Sequence, residues 1–357
     1  MNNDDQVLLH TEGRIRRITL NRPRALNALT HTMVRHIDEA LTAAERDDSV
    51  TAVLISGAGE RGLCAGGDIR AIYEDARAGR SASVDFWRDE YRLNARIARF
   101  PKPYVAFMDG IVMGGGVGVS AHGSVRIVTE RSRVAMPETG IGFVPDIGGT
   151  HLLASAPGEL GTHLALTGDA VGAGDALLCE LADHFVPSER LAELARDLAG
   201  SATSSEIEQT ARRYATAPPV GELAAHRGWI DACYAAESVE EIVERLQNCG
   251  EPAAKETAET ILAKSPTALK VTLASVRGAR LLGSLEAVLD QEFRVSCAAF
   301  TRPDLVEGVR AQIIDKDRDP HWSPARLAQV DASDVAGFFE PLGDRELGLA
   351  GGAPVAD

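Results

Sequence analysis

Residues 113–120, MGGGVGVS, place three consecutive glycines after an apolar strand signal. A second glycine pair, in residues 64–68 (CAGGD), also follows an apolar strand signal. Each pattern is typical of a loop that leaves the end of a strand and enters a helix. Backbone N–H groups exposed in such loops can hold an anion. Glycines also serve merely as turns or as points of close packing, but two such loops in one chain favour a binding role.

Strand and helix signals alternate on both sides of these loops. Strand patterns occur at residues 14–20, 51–56, 104–107, 125–129 and 133–135. An amphipathic helix begins after Thr30, a suitable N-cap, and a charged helical stretch lies around residues 82–100. This alternation predicts an α/β layered core. After about residue 191 the pattern becomes helical to about residue 311, and we expect the non-periodic end around residues 347–354 to fray.

The composition limits the possible partners and compartments. The 357 residues are 45% hydrophobic and 25% charged, which is typical of one large soluble domain with an appendage. A net charge of −15 disfavours nucleic acid and anionic membranes as partners, because both need a basic surface. The beginning of the chain has no apolar run of signal length, so we expect a cytoplasmic protein. The five scattered cysteines predict neither disulfides nor a zinc site.

Three local motifs suggest other chemistry and are better explained as structural. Residues 57–62, GAGERG, match the dinucleotide-binding pattern GxGxxG, but two more glycines lie where its helix would have to run. Ser120 and His122 do not form a nucleophile elbow, because His122 occupies the position that needs glycine. Cys64 is better explained as a small buried thiol than as a nucleophile. No cluster has metal-ligand spacing, so we expect no metal.

Glu138 and Asp146 are isolated acids in residues 136–149, MPETGIGFVPDIGG, which are otherwise almost uncharged. Acids among apolar residues and glycines are candidates for a raised pKa and for acid/base catalysis. A helix-capping Glu and a turn-forming Asp explain the same pattern without any chemistry. From the residues alone, both interpretations stay open.

Three motifs in order resemble the crotonase, or enoyl-CoA hydratase/isomerase, superfamily: NRPRALNAL at residues 21–29, CAGGD at 64–68, and Asp109-Gly110 followed by Gly114-Gly115-Gly116. The resemblance covers about residues 5–330. It implies a crotonase fold, an α/β ClpP-like ββα spiral core with CoA and oxyanion-hole loops over residues 1–200. A helical C-terminal region over 201–330 and a tail over 331–357 would follow.

The resemblance also implies roles for single residues. The oxyanion donors would be the backbone N–H groups of Gly67 and Gly115, acting on a thioester carbonyl. The coenzyme A site would be lined by Arg24, Ala25, Leu26, Ala65, Asp68, Ile69, Arg70 and Gly114. We expect an arginine among Arg22, Arg24 and Arg70 to offset the acidic field for the coenzyme's phosphates. Coenzyme A is then part of the substrate, and no cofactor is expected.

One departure from the family pattern points to a particular branch. Hydratases of this family use two glutamates; the second is retained as Glu138, but Gly118 stands at the first position, and Asp146 adds a carboxylate where hydratases carry glycine. This combination resembles 3-hydroxyisobutyryl-CoA hydrolases. Glu90, in the Glu90-Tyr91 pair, would bind the 3-hydroxyl group. The C-terminal segments at 264–267, 292–293, 304–317 and 320–322 resemble the same branch.

The resemblance implies hydrolysis of 3-hydroxyisobutyryl-CoA to 3-hydroxyisobutyrate and CoA, a step of valine breakdown. Glu138 would either attack the thioester or activate water, and Asp146 would carry a proton or orient the substrate. An enoyl-CoA hydratase or isomerase that pairs Glu138 with Asp146 remains an alternative, as does a non-catalytic acyl-CoA-binding protein. A homo-oligomer, such as a trimer, is also open.

Overall fold

The computed structural model describes residues 5–351, and these form two units that alternate along the chain. The first unit takes residues up to 68, then 92–135 and 170–222. The second takes residues 69–91, 136–169 and those from 223 onward. The contiguous division at residues 200 and 330 stays a prediction, while the observed units are interleaved because each draws on distant segments of the chain.

All strands of the described residues lie in the first unit. A six-stranded sheet has the order β1-β2-β3-β5-β7-β9, and a three-stranded sheet has the order β4-β6-β8. Only β1 runs antiparallel to its neighbour. The strands are β1 Val7–Glu12, β2 Ile15–Leu20, β3 Ala52–Gly57, β4 Gly62–Cys64, β5 Tyr104–Met108, β6 Ile111–Met113, β7 Val125–Val128, β8 Arg133–Ala135 and β9 His184–Phe185.

Successive strand pairs β3/β4, β5/β6 and β7/β8 each give one strand to each sheet, which is the predicted spiral. The five strands expected from the sequence are confirmed within one or two residues. Strand β1 was not predicted, because it is an edge strand whose middle residues are mostly exposed. The strands β4 and β6, of three residues each, and β9, of two, were not predicted either.

The helices of the first unit pack around these sheets. They are α1 His31–Arg46, the end of α3 Ala82–Ala98, α4 Gly115–Gly118, α7 Ala173–Leu178, α8 Leu191–Ala199 and α9 Ser204–Tyr214. The predicted cap of α1 is confirmed, since Thr30 accepts a hydrogen bond from Met33 N, and the apolar stripe of α1 is buried. Side chains of α8 and α9 join those of β2, β3, β5 and β7 in one apolar core.

The second unit is helical. It contains α2 Ile69–Arg77, the first ten residues of α3, α5 Gly149–Ser155, α6 Leu160–Thr167, α10 Leu223–Tyr234, α11 Val239–Asn248, α12 Pro252–Leu262, α13 Pro266–Leu282, α14 Leu285–Phe300, α15 Pro303–Val309, a π-helical turn Arg310–Ile314 and α16 Ala332–Ala336. The predicted helical character after residue 191 is therefore confirmed.

The expectation that the chain end frays is wrong for its described part. Leu347 is buried, and the amides of Leu349 and Ala350 donate to the carboxylate of Asp290 on α14. These contacts consist of one buried leucine and two backbone N–H donors. Neither leaves a periodic pattern in the sequence. Residues 352–354 of that expectation lie outside the described residues.

Two predictions about single motifs are confirmed. Gly62 begins strand β4, so no helix starts at the third glycine of GAGERG and the dinucleotide-binding pattern is coincidental. Ser120 is fully buried, and its hydroxyl donates to the carbonyl of Gly116. Among residues 5–351, no helix is long and apolar enough to cross a membrane.

Candidate active site

The two glycine loops of the first unit lie side by side because the strands that precede them are paired. Cys64 of β4 is the parallel neighbour of Val112 of β6. A Cβ atom added to Gly116 would lie 2.3 Å from the carbonyl oxygen of Cys64, an overlap that only glycine avoids. Gly66 has a φ of +112°, and a Cβ atom there would lie 3.8 Å from Gly115 N. The close approach of the two loops therefore depends on glycine.

The loop amides include two that remain available. The amide of Gly114 donates to Ala135 O, and the amide of Asp68 donates to Leu29 O. Within the part of the chain that the structure describes, the amides of Gly67 and Gly115 donate to no backbone carbonyl. The first N–H groups of a helix have no partner inside it, and Gly115 is the first residue of α4. Both amides can thus donate to a bound oxygen.

The loop at residues 22–29 is fastened to the first of these glycine loops. Ala65 N donates to Leu26 O, and the Asn27 side-chain amide donates to the carbonyls of Ala58 and Gly62. Arg22 pairs with Asp68 at 2.9 Å and also donates to Ala28 O. Arg22 therefore holds the loop together, while Arg24 remains exposed. Leu26 and Asn27 have left-handed backbone conformations, with φ of 53° and 56°.

The second unit brings together acidic side chains from distant parts of the sequence. Helix α3 places Glu90 and Tyr91 on one face with Trp87, at helical spacings of three and four residues. Glu138 begins a 3-10 turn, Glu138–Ile141, and Asp146 lies in the loop before α5. Helix α14 adds Glu292. All four carboxyl groups are buried, with 1–7% of each residue exposed.

Aromatic rings pack against Trp87 and Tyr91, which share a face of α3 with Glu90. Trp87 stacks on Phe143 with a centroid distance of 5.4 Å, and Phe300 meets Trp87 edge to face. Phe293 meets Tyr91 edge to face at 6.1 Å.

Hydrogen bonds hold Asp146 and Glu292 in defined positions. The Tyr91 hydroxyl donates to Asp146 Oδ2 at 2.7 Å and lies 2.7 Å from Ser296 Oγ. Glu292 accepts from Gly148 N at 2.5 Å, from Thr150 N at 2.9 Å and from the Thr150 hydroxyl at 2.6 Å.

Glu90 and Glu138 are held differently. Among the described residues, Glu90 Oε1 and Glu138 Oε2 are buried and have no hydrogen-bond partner. Buried polar atoms normally find one, and leaving one unpaired costs about 1–3 kcal/mol. Each of these oxygens is therefore suited to accept a donor from a bound molecule.

Burial raises the pKa of every carboxyl in the cluster, and the charge of Asp146 raises the pKa of the three glutamates further. Burial raises the pKa of Asp146 to about 7, against the lowering effect of the Tyr91 hydrogen bond. Burial raises the pKa of Glu292 to about 8, although its three donors act in the opposite direction. Burial, followed by the charge of Asp146, raises the pKa of Glu90 and Glu138 well above the ordinary value. Such a group of acids can hold and exchange protons near neutral pH.

The residues predicted from the sequence thus fall into two sets. Glu90, Glu138 and Asp146 meet in the second unit, whereas Gly67, Gly115, Gly114, Ala65, Asp68 and residues 24–26 meet in the first. Ile69 and Arg70 begin α2, in the second unit. Sequence reasoning missed the roles of Glu292 and Ser296, whose only signal is their one-turn spacing on a helix. In residues 5–351, no group of three His, Cys, Asp or Glu side chains is arranged to hold a metal ion.

A parallel sheet spiral with paired glycine loops, together with buried carboxyls, is the architecture of an acyl-CoA enzyme of the crotonase type. The family model for enoyl-CoA hydratase/isomerase matches residues 15–339. A 3-hydroxyisobutyryl-CoA hydrolase of Danio rerio is 45% identical over 354 residues, covering 96% of this chain and 92% of its own. The chain therefore belongs to the enoyl-CoA hydratase/isomerase family, in its 3-hydroxyisobutyryl-CoA hydrolase branch.

Solved structures agree on the fold and carry other activity names. A protein of Mycobacterium thermoresistibile described as a carnitinyl-CoA dehydratase is 51% identical, with a TM-score of 0.93, covering 98% of this chain and 100% of that one. A protein of Rhodobacter sphaeroides described as an enoyl-CoA hydratase is 42% identical, with a TM-score of 0.90, covering 96% of this chain and 99% of that one. These names differ from that of the Danio rerio relative, so the shared fold does not by itself distinguish hydrolysis from hydration.

Proposed function

We propose that the protein hydrolyses a 3-hydroxyacyl-CoA thioester, 3-hydroxyisobutyryl-CoA in particular, to the free hydroxy acid and CoA. The observation that carries the proposal is the buried trio Glu90, Glu138 and Asp146, which gives the site three acids but leaves Gly118 where the first hydratase glutamate would be. The similarity to the Danio rerio hydrolase supports the same reaction.

We assign the glycine loops to the thioester carbonyl. The amides of Gly67 and Gly115 would donate to its oxygen and stabilise the negative charge that develops there as the carbonyl carbon is attacked. Arg24, Ala25, Leu26, Ala65, Asp68, Ile69, Arg70 and Gly114 would line the path of the coenzyme A part.

We assign the attack to Glu138. Its ionised carboxylate would either add to the carbonyl carbon, giving a mixed anhydride that water opens, or take a proton from the attacking water. In both routes the C–S bond breaks and the CoA thiolate takes up a proton. Asp146, whose pKa burial raises to about 7, is suited to carry that proton, because it can be found in either form near neutral pH.

Glu90 would recognise the substrate hydroxyl. Its Oε1 is buried and accepts no hydrogen bond from residues 5–351, so a 3-hydroxyl group would fill an otherwise unmet acceptor. A site of this kind rejects analogues that lack the hydroxyl, because the acceptor is then left unpaired.

The first experiment is release of free CoA thiol from 3-hydroxyisobutyryl-CoA by the wild type and by Glu138→Gln. Fast release that falls at least about 100-fold in the variant supports the proposal. The second candidate is an enoyl-CoA hydratase or dehydratase, favoured by the names of the two similar solved structures. Loss of crotonyl-CoA absorbance without thiol release would establish that candidate. Binding without either reaction would leave an acyl-CoA-binding protein.

Several further assignments accompany the proposal. The reaction fits a step in valine degradation, and the substrate needs no separate cofactor. The acidic net charge favours neither nucleic acid nor a membrane as partner. The cytoplasmic location and a homo-oligomer, such as a trimer, stay predictions. The Danio rerio relative is named a mitochondrial protein.

A further inference from the structure

Helix α14 contacts the Asp146 segment through two of its side chains. Glu292 and Ser296 are four residues apart and therefore lie on the same face of the helix. Each is at most 1% exposed. The Glu292 carboxylate accepts a hydrogen bond from Gly148 N, in the backbone that follows Asp146. Ser296 Oγ lies 2.7 Å from the Tyr91 hydroxyl, which donates to the Asp146 carboxylate.

The backbone held by Glu292 has an unusual conformation. Ile147 has a φ of 58° and Gly148 a φ of 76°. A left-handed conformation is a genuine outlier for a β-branched residue such as Ile147 and strains the backbone. Such a conformation persists only where its surroundings fix it, and the Glu292 carboxylate binds the next amide, Gly148 N, and both donors of Thr150.

The side chain of Asp146 is held through Tyr91. Because the single hydroxyl proton of Tyr91 goes to Asp146 Oδ2, Ser296 Oγ donates to Tyr91 when Asp146 is ionised. Helix α14 thus fixes both the backbone after Asp146 and, through one intermediate, its carboxylate.

We propose that Glu292 is a positioning residue for Asp146: its carboxylate clamps the left-handed turn at residues 147–148, and with Ser296 and Tyr91 it sets where the Asp146 carboxylate points. This role rests on the proposed hydrolase function. A carboxylate suits it because its two oxygens accept from three donors here, whereas the amide of a glutamine offers one acceptor oxygen.

A fourth carboxyl also has an electrostatic cost. The charge of Glu292 contributes to raising the pKa of Glu138, and Asp146 contributes to raising that of Glu292. A residue that only filled space would impose no such repulsion. The position that Glu292 gives to the Asp146 loop therefore offsets this electrostatic repulsion.

The test compares Glu292→Gln with the wild type in thiol release from 3-hydroxyisobutyryl-CoA. We expect kcat to fall about 10- to 100-fold, the effect of a misplaced catalytic group, while KM changes less than about twofold. Glu286→Gln removes the same charge from the first turn of α14 and should leave both constants unchanged. A wild-type kcat in Glu292→Gln would overturn the proposal.

A matched pair at Thr150 gives the same answer without changing Glu292. Thr150→Val removes one of the three donors at nearly constant volume, and Thr150→Ser keeps it. We expect a several-fold loss of kcat in the valine variant and recovery in the serine variant. This pair remains informative if Glu292→Gln does not fold, and equal activities of the two variants would contradict the clamp.

A double-mutant cycle separates positioning from an independent role. In Asp146→Asn, adding Glu292→Gln should cost little further activity in a single-turnover assay, because Glu292 acts through the carboxylate already removed. If the double variant loses activity by the product of the two single-variant factors, Glu292 acts independently of Asp146, and the proposal is overturned. Absence of thiol release by the wild type is a different result, since it refutes the hydrolase function on which the role rests.

Discussion

The hydroxyl of Tyr91 donates a 2.7 Å hydrogen bond to Oδ2 of Asp146 inside a cluster of buried acids. The bond opposes the dominant effect of burial, which raises the pKa of Asp146 to about 7. The charge of Asp146 in turn helps to raise the pKa of Glu90, Glu138 and Glu292. The Tyr91 hydroxyl proton, together with a backbone hydrogen bond, therefore favours the ionised form of Asp146.

Replacing Tyr91 with Phe should move the alkaline limb of the kcat profile to higher pH, because Asp146 must be protonated to give its proton to the CoA thiolate. The hydrogen bond favours the ionised form, so its loss raises the pKa of Asp146 and less carboxylate is ionised at any given pH. A shift on the order of one pH unit is expected, because a hydrogen bond to a charged group contributes about 1.5 kcal/mol and one pKa unit is 1.36 kcal/mol. The profile is measured by thiol release from pH 5 to 9.

Tyr214→Phe provides the control, because it removes a hydroxyl that donates to Asp197 at 2.7 Å in the first unit. Its profile should match the wild type. An alkaline limb that stays in place in Tyr91→Phe, or moves to lower pH, would contradict this role of the hydroxyl.

Asp146→Asn should stabilise the fold at alkaline pH. The pKa of Asp146 rises from 3.8 when the chain is unfolded to about 7 when it is folded. Between these values the unfolded chain binds fewer protons, so the wild type loses stability as the pH rises through this window. We expect the free energy of unfolding of the variant, relative to wild type, to increase by on the order of 1–3 kcal/mol from pH 5 to pH 8.

Urea unfolding at the two pH values measures this difference. Asp48→Asn is a suitable control, because Asp48 is exposed. A gain in Asp146→Asn that is as large at pH 5 as at pH 8 would show that ionisation of Asp146 is not its source.

The sequence predicted the parts of the fold that depend on local patterns. The apolar stripe of α1 and the strands β2, β3, β5, β7 and β8 follow from local sequence patterns. The spiral arrangement came from the family resemblance rather than from periodicity. The interleaving of the two units could not be derived, because it depends on which distant segments meet.

The residues of the candidate site likewise divide into those that the sequence predicts and those that it does not. Glu138 and Asp146 stand out because they are isolated acids in an apolar segment. Glu292 and Ser296 do not stand out in the sequence, since a polar residue on an amphipathic helix normally faces solvent. Only the tertiary structure shows that these two are buried against the Asp146 loop. The chain end from residue 347 was misjudged for a similar reason, since the amides of Leu349 and Ala350 donate to Asp290 of α14.

Glu90→Ala should reduce the preference for a hydroxylated acyl group. The wild type is expected to favour 3-hydroxyisobutyryl-CoA over isobutyryl-CoA in kcat/KM, and removal of the acceptor should shrink that ratio by about tenfold or more. Glu90→Gln retains an acceptor oxygen and should keep part of the preference. Glu74→Ala, an exposed acid on α2, is the control. An unchanged ratio in Glu90→Ala would exclude Glu90 from hydroxyl recognition.

Arg24 and Arg70 are the exposed cations that we expect to meet the phosphates of coenzyme A. Arg22, in contrast, is engaged with Asp68 and Ala28 O, so its replacement should disturb the loop itself. Replacing Arg24 or Arg70 with Ser should raise KM about threefold to fivefold with little change in kcat, because an exposed ion pair contributes up to about 1 kcal/mol. The effect should diminish at 0.5 M salt, where exposed charges are screened. Arg46→Ser, at the end of α1, should have no effect, and an unchanged KM in both test variants at low salt would remove these arginines from the substrate path.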